Sequence, residues 1–506
     1  MDSKAFREAA AAGIDDVVNY FENLGSRDVV SSVEPGYLRK LLPSEAPQEG
    51  EPWADIHKDL ETKIMPGITH WNHPGFHAFF PCGTSYPSIL GELYSSTLTS
   101  AAFNWICSPA VTELETVVLD WLAKILGLPA CYLSTGPTRG GGVIHGSASE
   151  AVLTAMVAAR DKYLRETVAP RADFPDDEAH EDAVWRARSR MVALATTATH
   201  SSAKKAARIL GCRFRAIPVR AEDGYALTRE GLAAALRECR EQGLRPFFLA
   251  ATLGTTDTCA VDDFAGIAAA LADHIAPGQP GEVWVHVDAA YAGAALVCPE
   301  VQEATRISLI EKFHSFDMNM HKWLLVNFDA SCFFVRNRDW LVQALSVNQA
   351  VYGNKASDGG LVTDYREWQI PLGRRFRSLK IWFVLRSYGV RGLQEYIRRT
   401  TKLGAEFAAS VRSRPDLFEI VTEPRFALTV FRMVGRSEGA SLEERNALTK
   451  ELYDRVNATG HMWTTSTQLD GRLAIRLMTG VKLTEKEHVE RAFRTVVEIA
   501  EELLKA

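Results

Sequence analysis

The sequence predicts an α/β fold: a mainly parallel central sheet with helices on both faces, an N-terminal helical segment and a smaller C-terminal α+β domain. Three observations predict it. Strand-like and helical runs alternate over roughly residues 86 to 335. The apolar strand runs are nearly continuous rather than alternating, the pattern of strands buried on both faces. The chain has 506 residues, 46% hydrophobic and 24% charged, an ordinary globular composition with enough length for two or three domains.

Taken in order, MDSKAFREAAAAGIDDVVNYFENL is an amphipathic helix with acids in each turn, and it lacks the apolar core and cleavage site of a secretion signal. Pro35, Pro43, Pro47, Pro52, Pro66 and Pro74 follow. Residues 1–85 therefore have little prospect of a core of their own and are expected to pack on something else, such as a partner subunit. The large α/β domain is placed at 86–379. In it MVALATTATH (191–200) precedes the helical SSAKKAARILG, which stops at Gly211. PFFLAATLGTT (246–256) precedes DDFAGIAAALADHI, and VWVHVDAAYAG (283–293) and CFFVRN (332–337) are further buried strands. The acidic, proline-broken stretch 165–188 reads as a surface excursion. Residues 380–506 read as the small α+β domain, helical at EFAASVRS and at EKEHVERAFRTVVEIAEELLKA.

Composition narrows the function. A net charge of −6 and a pI near 6.2 offer no basic surface for nucleic acid or membrane, so a small-molecule ligand is expected. The eight cysteines contain no CxxC pair and no zinc spacing, and no apolar run reaches membrane-spanning length. Both point to the cytosol. His70, His73 and His77 invite a metal, but Pro74 and Gly75 break any helix between them and no carboxylate or cysteine completes a set. No metal site is expected.

Lys322 poses the chemical question. It lies between His321 and Trp323, with Met320 before and Leu324 and Leu325 after, and an ammonium is costly among apolar groups unless paired or neutral. Alone, it reads as a snorkelling surface lysine. Asp288 closes VWVHV and needs a cationic or hydrogen-bonding partner there; a pyridinium nitrogen is one, an ordinary ion pair or cap another. The alanines after it leave room for a flat ring. His200, after MVALATTAT, can stack on an aromatic cofactor or cap the next helix. GGGVIHGSASEA (140–151) reads as a glycine-rich loop entering a helix, with Ser147 and Ser149 near a terminus whose free N–H groups suit a phosphate. It is neither GxGxxG nor a Walker loop, so dinucleotides and nucleoside triphosphates lose support. Thr255 and Thr256 add hydroxyls at another strand end. Lys322 follows Asp288 by 34 residues (322 − 288), room for one crossover to the same sheet edge. Phosphate cradle, stacking imidazole, carboxylate and lysine are the parts pyridoxal phosphate requires. A desolvated lysine beside another cation is shifted toward the neutral form a Schiff base needs.

Longer blocks carry a family resemblance. WNHPGFHAFFPCGTSYPSILGE, SPAVTELE, HGSASEA, THSSAKKA, HVDAAYAG, NMHKW and DYREWQIPLGRRFRSLKIWFVLRSYG resemble the pyridoxal-phosphate-dependent aromatic-L-amino-acid decarboxylases (group II, fold type I). The resemblance runs over roughly residues 50 to 400 and more loosely beyond. It implies that Lys322 forms the Schiff base, Asp288 pairs with the pyridine nitrogen, Ala290 packs beneath the ring and His200 stacks above it. Ser147, Ala148, Ser149, Asn319 and His321 are expected at the phosphate and Thr256 near the Schiff base. Trp71, Phe80, Pro81 and Cys82 are expected in the substrate pocket, joined by Ala101 and Phe103 of a second subunit in an obligatory homodimer.

The same resemblance implies decarboxylation of tryptophan, 5-hydroxytryptophan, DOPA, tyrosine or phenylalanine to the arylalkylamine. Gly373 favours these bulky rings over histidine or glutamate, because it replaces a serine common in related histidine and plant tyrosine decarboxylases. Three departures stand out. The catalytic loop tyrosine is expected at Tyr352, one place after Val351, where alignment through NKAS would put it. Cys82 stands where threonine is common, and Ala101 replaces a bulkier residue. The alternative within the family is an aromatic acetaldehyde synthase, and His200 with Tyr352 favours the decarboxylase. Aminotransferases and cysteine desulfurases are disfavoured by the aromatic FFPCGTSYP and WQIPLGRRFRS blocks, and a non-catalytic scaffold by the intact Lys322, Asp288 and His200.

Overall fold

A computed structural model describes residues 1–346 and 362–505. The chain divides into two compact units: Met1–Pro81 with Leu403–Val421 and Thr429–Ala506, and Cys82–Lys402 with Thr422–Leu428.

The second unit is built on seven strands: β1 (Gly141–His145), β2 (Met191–Thr196), β3 (Arg213–Ile217), β4 (Arg245–Thr252), β5 (Trp284–Asp288), β6 (Ser315–Asn319) and β7 (Ser331–Val335), in the order β1-β7-β6-β5-β4-β2-β3. The pairs from β3 through β6 are parallel, and β7 runs against both β6 and β1. This is the mainly parallel sheet the sequence predicts. Every residue of β1, β2, β5, β6 and β7 is buried, as strands covered on both faces require.

Three helices position the site: α1 (Pro109–Ile125), α2 (Ala148–Thr167) and α3 (Ser201–Ile209). Helix α2 lies close on the sheet because its buried side is small; Ala151, Ala155 and Ala158 join one core with Val143, Phe248 and Phe333. Gly211 follows α3 at φ +64, a backbone conformation that favours glycine and stops the helix as expected.

Three strands were not legible. The glycine-rich stretch expected as a loop into α2 begins instead as β1. A Cβ on Gly142 would come within 2.9 Å of the Phe334 ring and 3.1 Å of Leu119, so close packing requires glycine where propensity disfavours it. β3 is a polar edge strand, and β6 carries Asp317 and Asn319 inside the sheet.

A second sheet, most of it in the first unit, is formed by β8 (Phe418–Arg425), β9 (Leu428–Met433), β10 (Thr465–Leu469) and β11 (Arg472–Met478) in the order β10-β11-β9-β8. Phe407, Phe431, Leu452 and Val496 lie in its core. The proline-rich segment finds its apolar neighbours here, with Phe76 and Ala78 clustering with Val29 and Val481. His77 donates its N–H to Trp463 O at 2.8 Å and accepts from Met478 N at 3.0 Å. The three histidines are bound up in this packing. His70 Nδ1 is 2.9 Å from Tyr20 Oη, His73 Nδ1 accepts from Gly75 N at 2.9 Å, and His77 Nδ1 is 2.8 Å from Met478 O. Burial pushes His73 and His77 down to about 4, which keeps them neutral at neutral pH. No helix among the described residues is long and apolar enough to cross a membrane.

Candidate active site

In open α/β sheets, side chains that leave the carboxyl ends of the strands face the ligand. β5 ends on Asp288 and β6 on Asn319, and backbone bonds lace these ends together. Leu253 N donates to Asp288 O at 2.9 Å, Ala289 N to Asp317 O at 3.0 Å, and Asn319 N to Ala290 O at 3.0 Å. Asp288 is buried, and its Oδ1 accepts the Ala290 N–H at 3.0 Å, which fixes the carboxylate over the turn.

After Asn319 the chain makes one helical turn, Met320–Trp323, that presents Lys322. Met320 and Trp323 are wholly buried. Burial pushes the Lys322 ammonium below its usual value, opposed first by the carboxylates of Asp288 and Asp317. The lysine among apolar residues is thus a desolvated amine within electrostatic reach of the Asp288 and Asp317 carboxylates. Residues 82 and 83 pass directly against this turn. Gly83 N donates to His321 O at 2.7 Å, and a Cβ on Gly83 would stand 3.3 Å from Lys322 O and Leu325 N. Cys82 is close enough for Lys322 to pull its thiol down, against a larger upward push from burial.

β1 runs through Gly146 into α2. Ser147 caps the helix, its Oγ accepting the Glu150 N–H at 3.2 Å, and Glu150 reaches back to Gly146 N at 3.0 Å. The N–H groups of Ala148 and Ser149 precede the first intrahelical bond and stay available to an anion. Asn319 is buried, with its Oδ1 unpartnered among the described residues. His321 Nδ1 accepts from Ala330 N at 2.9 Å, and burial pushes the ring down to about 4.

His200 caps α3. Its Nδ1 accepts the Ser202 N–H at 3.2 Å and lies 3.0 Å from Ser202 Oγ, so in the neutral ring the proton sits on Nε2. Burial lowers its pKa, and the nearby Asp288 carboxylate raises it. Thr256 follows β4 at the same sheet edge.

The structure thus gathers Asp288, Ala290, Asn319, His321, Lys322 and Cys82 around one turn, with His200 near Asp288. Ala101, Phe103 and Gly373 are brought together by other bonds. Arg374 N donates to Ala101 O at 2.8 Å, and Arg366 N donates to Phe103 O at 3.0 Å. Ala101 and Gly373 are exposed, and the space beside the Gly373 Cα is open. Arg374 anchors this surface through a buried pair with Glu115, whose Oε1 also accepts from Ile144 N at 2.8 Å. Breaking one partner of a buried pair costs about 3–5 kcal/mol, against about 0–1 kcal/mol for surface pairs, so this contact holds the loop. Trp71, Phe80 and Pro81 belong to the first unit, where the Trp71 and Phe79 rings stack at 5.6 Å and Arg476 lies 5.3 Å over Phe80. Tyr352 lies outside the described residues.

Asp317 and its partner His286 were missed. The available signal was a polar residue at every second position of β6 (Ser315, Asp317, Asn319), which places all three on one face.

The donor set fits pyridoxal phosphate: N–H groups of the first turn of α2 for a phosphate, a carboxylate for a ring nitrogen, a desolvated amine for an aldehyde. Fold and site together define a pyridoxal-phosphate-dependent enzyme. The pyridoxal-dependent decarboxylase conserved domain matches residues 35–434. The chain is 42% identical to the phenylacetaldehyde synthase of Arabidopsis thaliana, over all of this chain and 97% of that protein. It is 40% identical to the aromatic-L-amino-acid decarboxylase of Mus musculus, over all of this chain and 99% of that one. The solved structure of Oryza sativa TDC with PLP and tryptamine superposes with a TM-score of 0.92 at 36% identity, covering 100% of this chain and 99% of that one. The chain belongs to the pyridoxal-dependent decarboxylase family, and its cofactor is pyridoxal 5′-phosphate. The resemblance read from the motifs is thereby borne out, and the aminotransferase and desulfurase readings fall away.

Proposed function

We propose that the chain converts an aromatic L-amino acid, among tryptophan, 5-hydroxytryptophan, DOPA, tyrosine and phenylalanine, to its arylalkylamine and CO2. The observation that carries this reading is the desolvated Lys322 amine within electrostatic reach of Asp288, one just past the end of β6 and the other closing β5. When bound, the cofactor supplies an electron sink for the pair released with CO2. Lys322 anchors it covalently, and Asp288 holds the proton on its ring nitrogen. His200 and Ala290 would hold the ring. The N–H groups of Ala148 and Ser149, with Ser147, Asn319 and His321, hold the phosphate, and Thr256 stands near the lysine. Trp71, Phe80, Pro81 and Cys82 orient the substrate's aromatic ring, which decides the bond at Cα that is broken. Tyr352 returns a proton to Cα.

Ala101 and Phe103 serve the pocket of a second subunit in this reading. The exposure of Ala101 and Gly373 supports it, as does the helix Ser3–Glu22, which buries none of its side chains. The holoprotein is expected to show about twice the 55.9 kDa chain mass by light scattering; a fully active species at the single-chain mass would contradict the shared site. Gly373 enlarges the pocket, worth about 1–3 kcal/mol of discrimination, so it ranks substrates rather than excluding them.

The phenylacetaldehyde synthase relative favours a second reading, decarboxylation with oxidative deamination. Incubating the holoenzyme with the five amino acids separates the two. Amine equal to the CO2 released, without peroxide or ammonia, is expected. Aldehyde, ammonia and peroxide in proportion to CO2 would establish the synthase instead.

A further inference from the structure

Behind Asp288 lies a second carboxylate that the reaction above does not use. Asp317 on β6 is fully buried and in register with Asp288 on β5, so both project from the same face. Its Oδ1 is 3.0 Å from Nε2 of His286, which is also fully buried. His286 Nδ1 is 2.9 Å from Ser315 Oγ, and that oxygen accepts the Trp284 indole N–H at 2.8 Å. Asp317 Oδ2 has no partner among the described residues.

The donors and acceptors of this chain allow two proton counts on the same heavy atoms. The indole only donates, so Ser315 keeps both its hydrogen and a second lone pair for Nδ1. With one proton fewer, Ser315 donates to Nδ1, and Nε2–H donates to ionised Asp317. With one more, Nδ1–H donates to Ser315, and a proton lies between Nε2 and Oδ1. The first arrangement sets a net negative charge beside Asp288; the second is neutral. An unpartnered, buried carboxylate oxygen next to another carboxylate resists ionisation. Burial, with a smaller contribution from Asp288, pushes the Asp317 carboxyl up to about 6, opposed by His286 and Lys322.

The remaining surroundings are accounted for. Cys332 on β7 lies within electrostatic reach of both Asp317 and Glu115 of α1, and Glu115 is already paired with Arg374. His145 on β1 stands against the Phe333 ring at 5.5 Å, with His286 6.0 Å from that same ring. Helix α2 turns Ala151, Thr154, Ala155 and Ala158 inward, and its buried Lys162 is paired with Glu166 at 2.8 Å.

We propose that Asp317 and His286 are positioning residues that store one proton behind Asp288, and that their charge sets how firmly Asp288 keeps the cofactor's ring nitrogen protonated. The inference rests on Asp288 being the ring partner. Above the transition of the store, the extra negative charge favours the protonated cofactor; removing it favours the deprotonated one.

The test is a pH titration of the visible absorbance of the holoprotein, with Asp317→Asn, His286→Gln and the double variant, beside kcat against pH. Each single variant is expected to move the absorbance midpoint down by about one pH unit, and the double variant no further than either single, because both remove the same store. Unmoved midpoints, or shifts that add, would overturn the proposal. Should the variants not fold, the wild-type holoprotein decides: the side-chain carboxyl 13C resonance of Asp317 is expected to titrate near 6, and a flat response through that pH would overturn the store. Asp288→Asn separates the two claims. If it alters the spectrum and Asp317→Asn does not, only the store fails; if neither does, the assignment of Asp288 fails first.

Discussion

Lys322→Ala is expected to abolish the reaction, lowering kcat by on the order of 10^4-fold or more, since a covalent anchor acts as a unit with its site and its loss is not shared out among neighbours. The physical case is the environment of the amine. Its neighbours Met320 and Trp323 are wholly buried, burial pushes its pKa down, and Asp288 and Asp317 oppose that shift. An ordinary surface lysine would have none of these constraints. The variant should remain folded, because truncation removes a desolvated amine rather than a packed apolar group. It should bind the cofactor only reversibly and lose its colour on dialysis. Colour and turnover retained in Lys322→Ala would show that another amine does the work.

The second large effect is Asp288→Asn. The substitution keeps size and leaves an oxygen to accept the Ala290 N–H, so the strand end should stay intact. It removes the charge that would hold a ring nitrogen protonated. A preorganised charge at a developing electron sink contributes about 2.7–4 kcal/mol, so kcat should drop about 10^2- to 10^3-fold, with the cofactor still attached through Lys322. The measurement is kcat and KM of the fully loaded variant. A kcat within about threefold of wild type would mean that Asp288 only caps its turn.

The main lines of this fold could be read because strands buried on both faces advertise themselves. MVALAT, PFFLAAT and VWVHV are apolar almost throughout and became β2, β4 and β5. β6 could not be read in this way. Its Ser315, Asp317 and Asn319 look like a polar segment until His286, Trp284 and the lysine turn are known to surround them, and those contacts come from distant parts of the chain. β1 was hidden by its glycines, which serve packing against Phe334 rather than a loop.

In the site, Lys322, Asp288 and His200 were legible because each directly follows a strand or sits in an apolar window at odds with its charge. Other features were beyond a reading by windows. The contact of Gly83 with the Lys322 turn and the bond from Arg374 to Ala101 join residues more than two hundred positions apart. Whether Ser147 caps or binds was likewise undecidable from spacing. The structure shows the cap, with Oγ accepting from Glu150 N.

The most direct test of the central claim is borohydride reduction of the holoprotein, followed by proteolysis and mass mapping. The reduced cofactor is expected on the peptide that contains Lys322, in one copy per chain. Its appearance on a peptide with a different lysine, or on none, would contradict the account at its root.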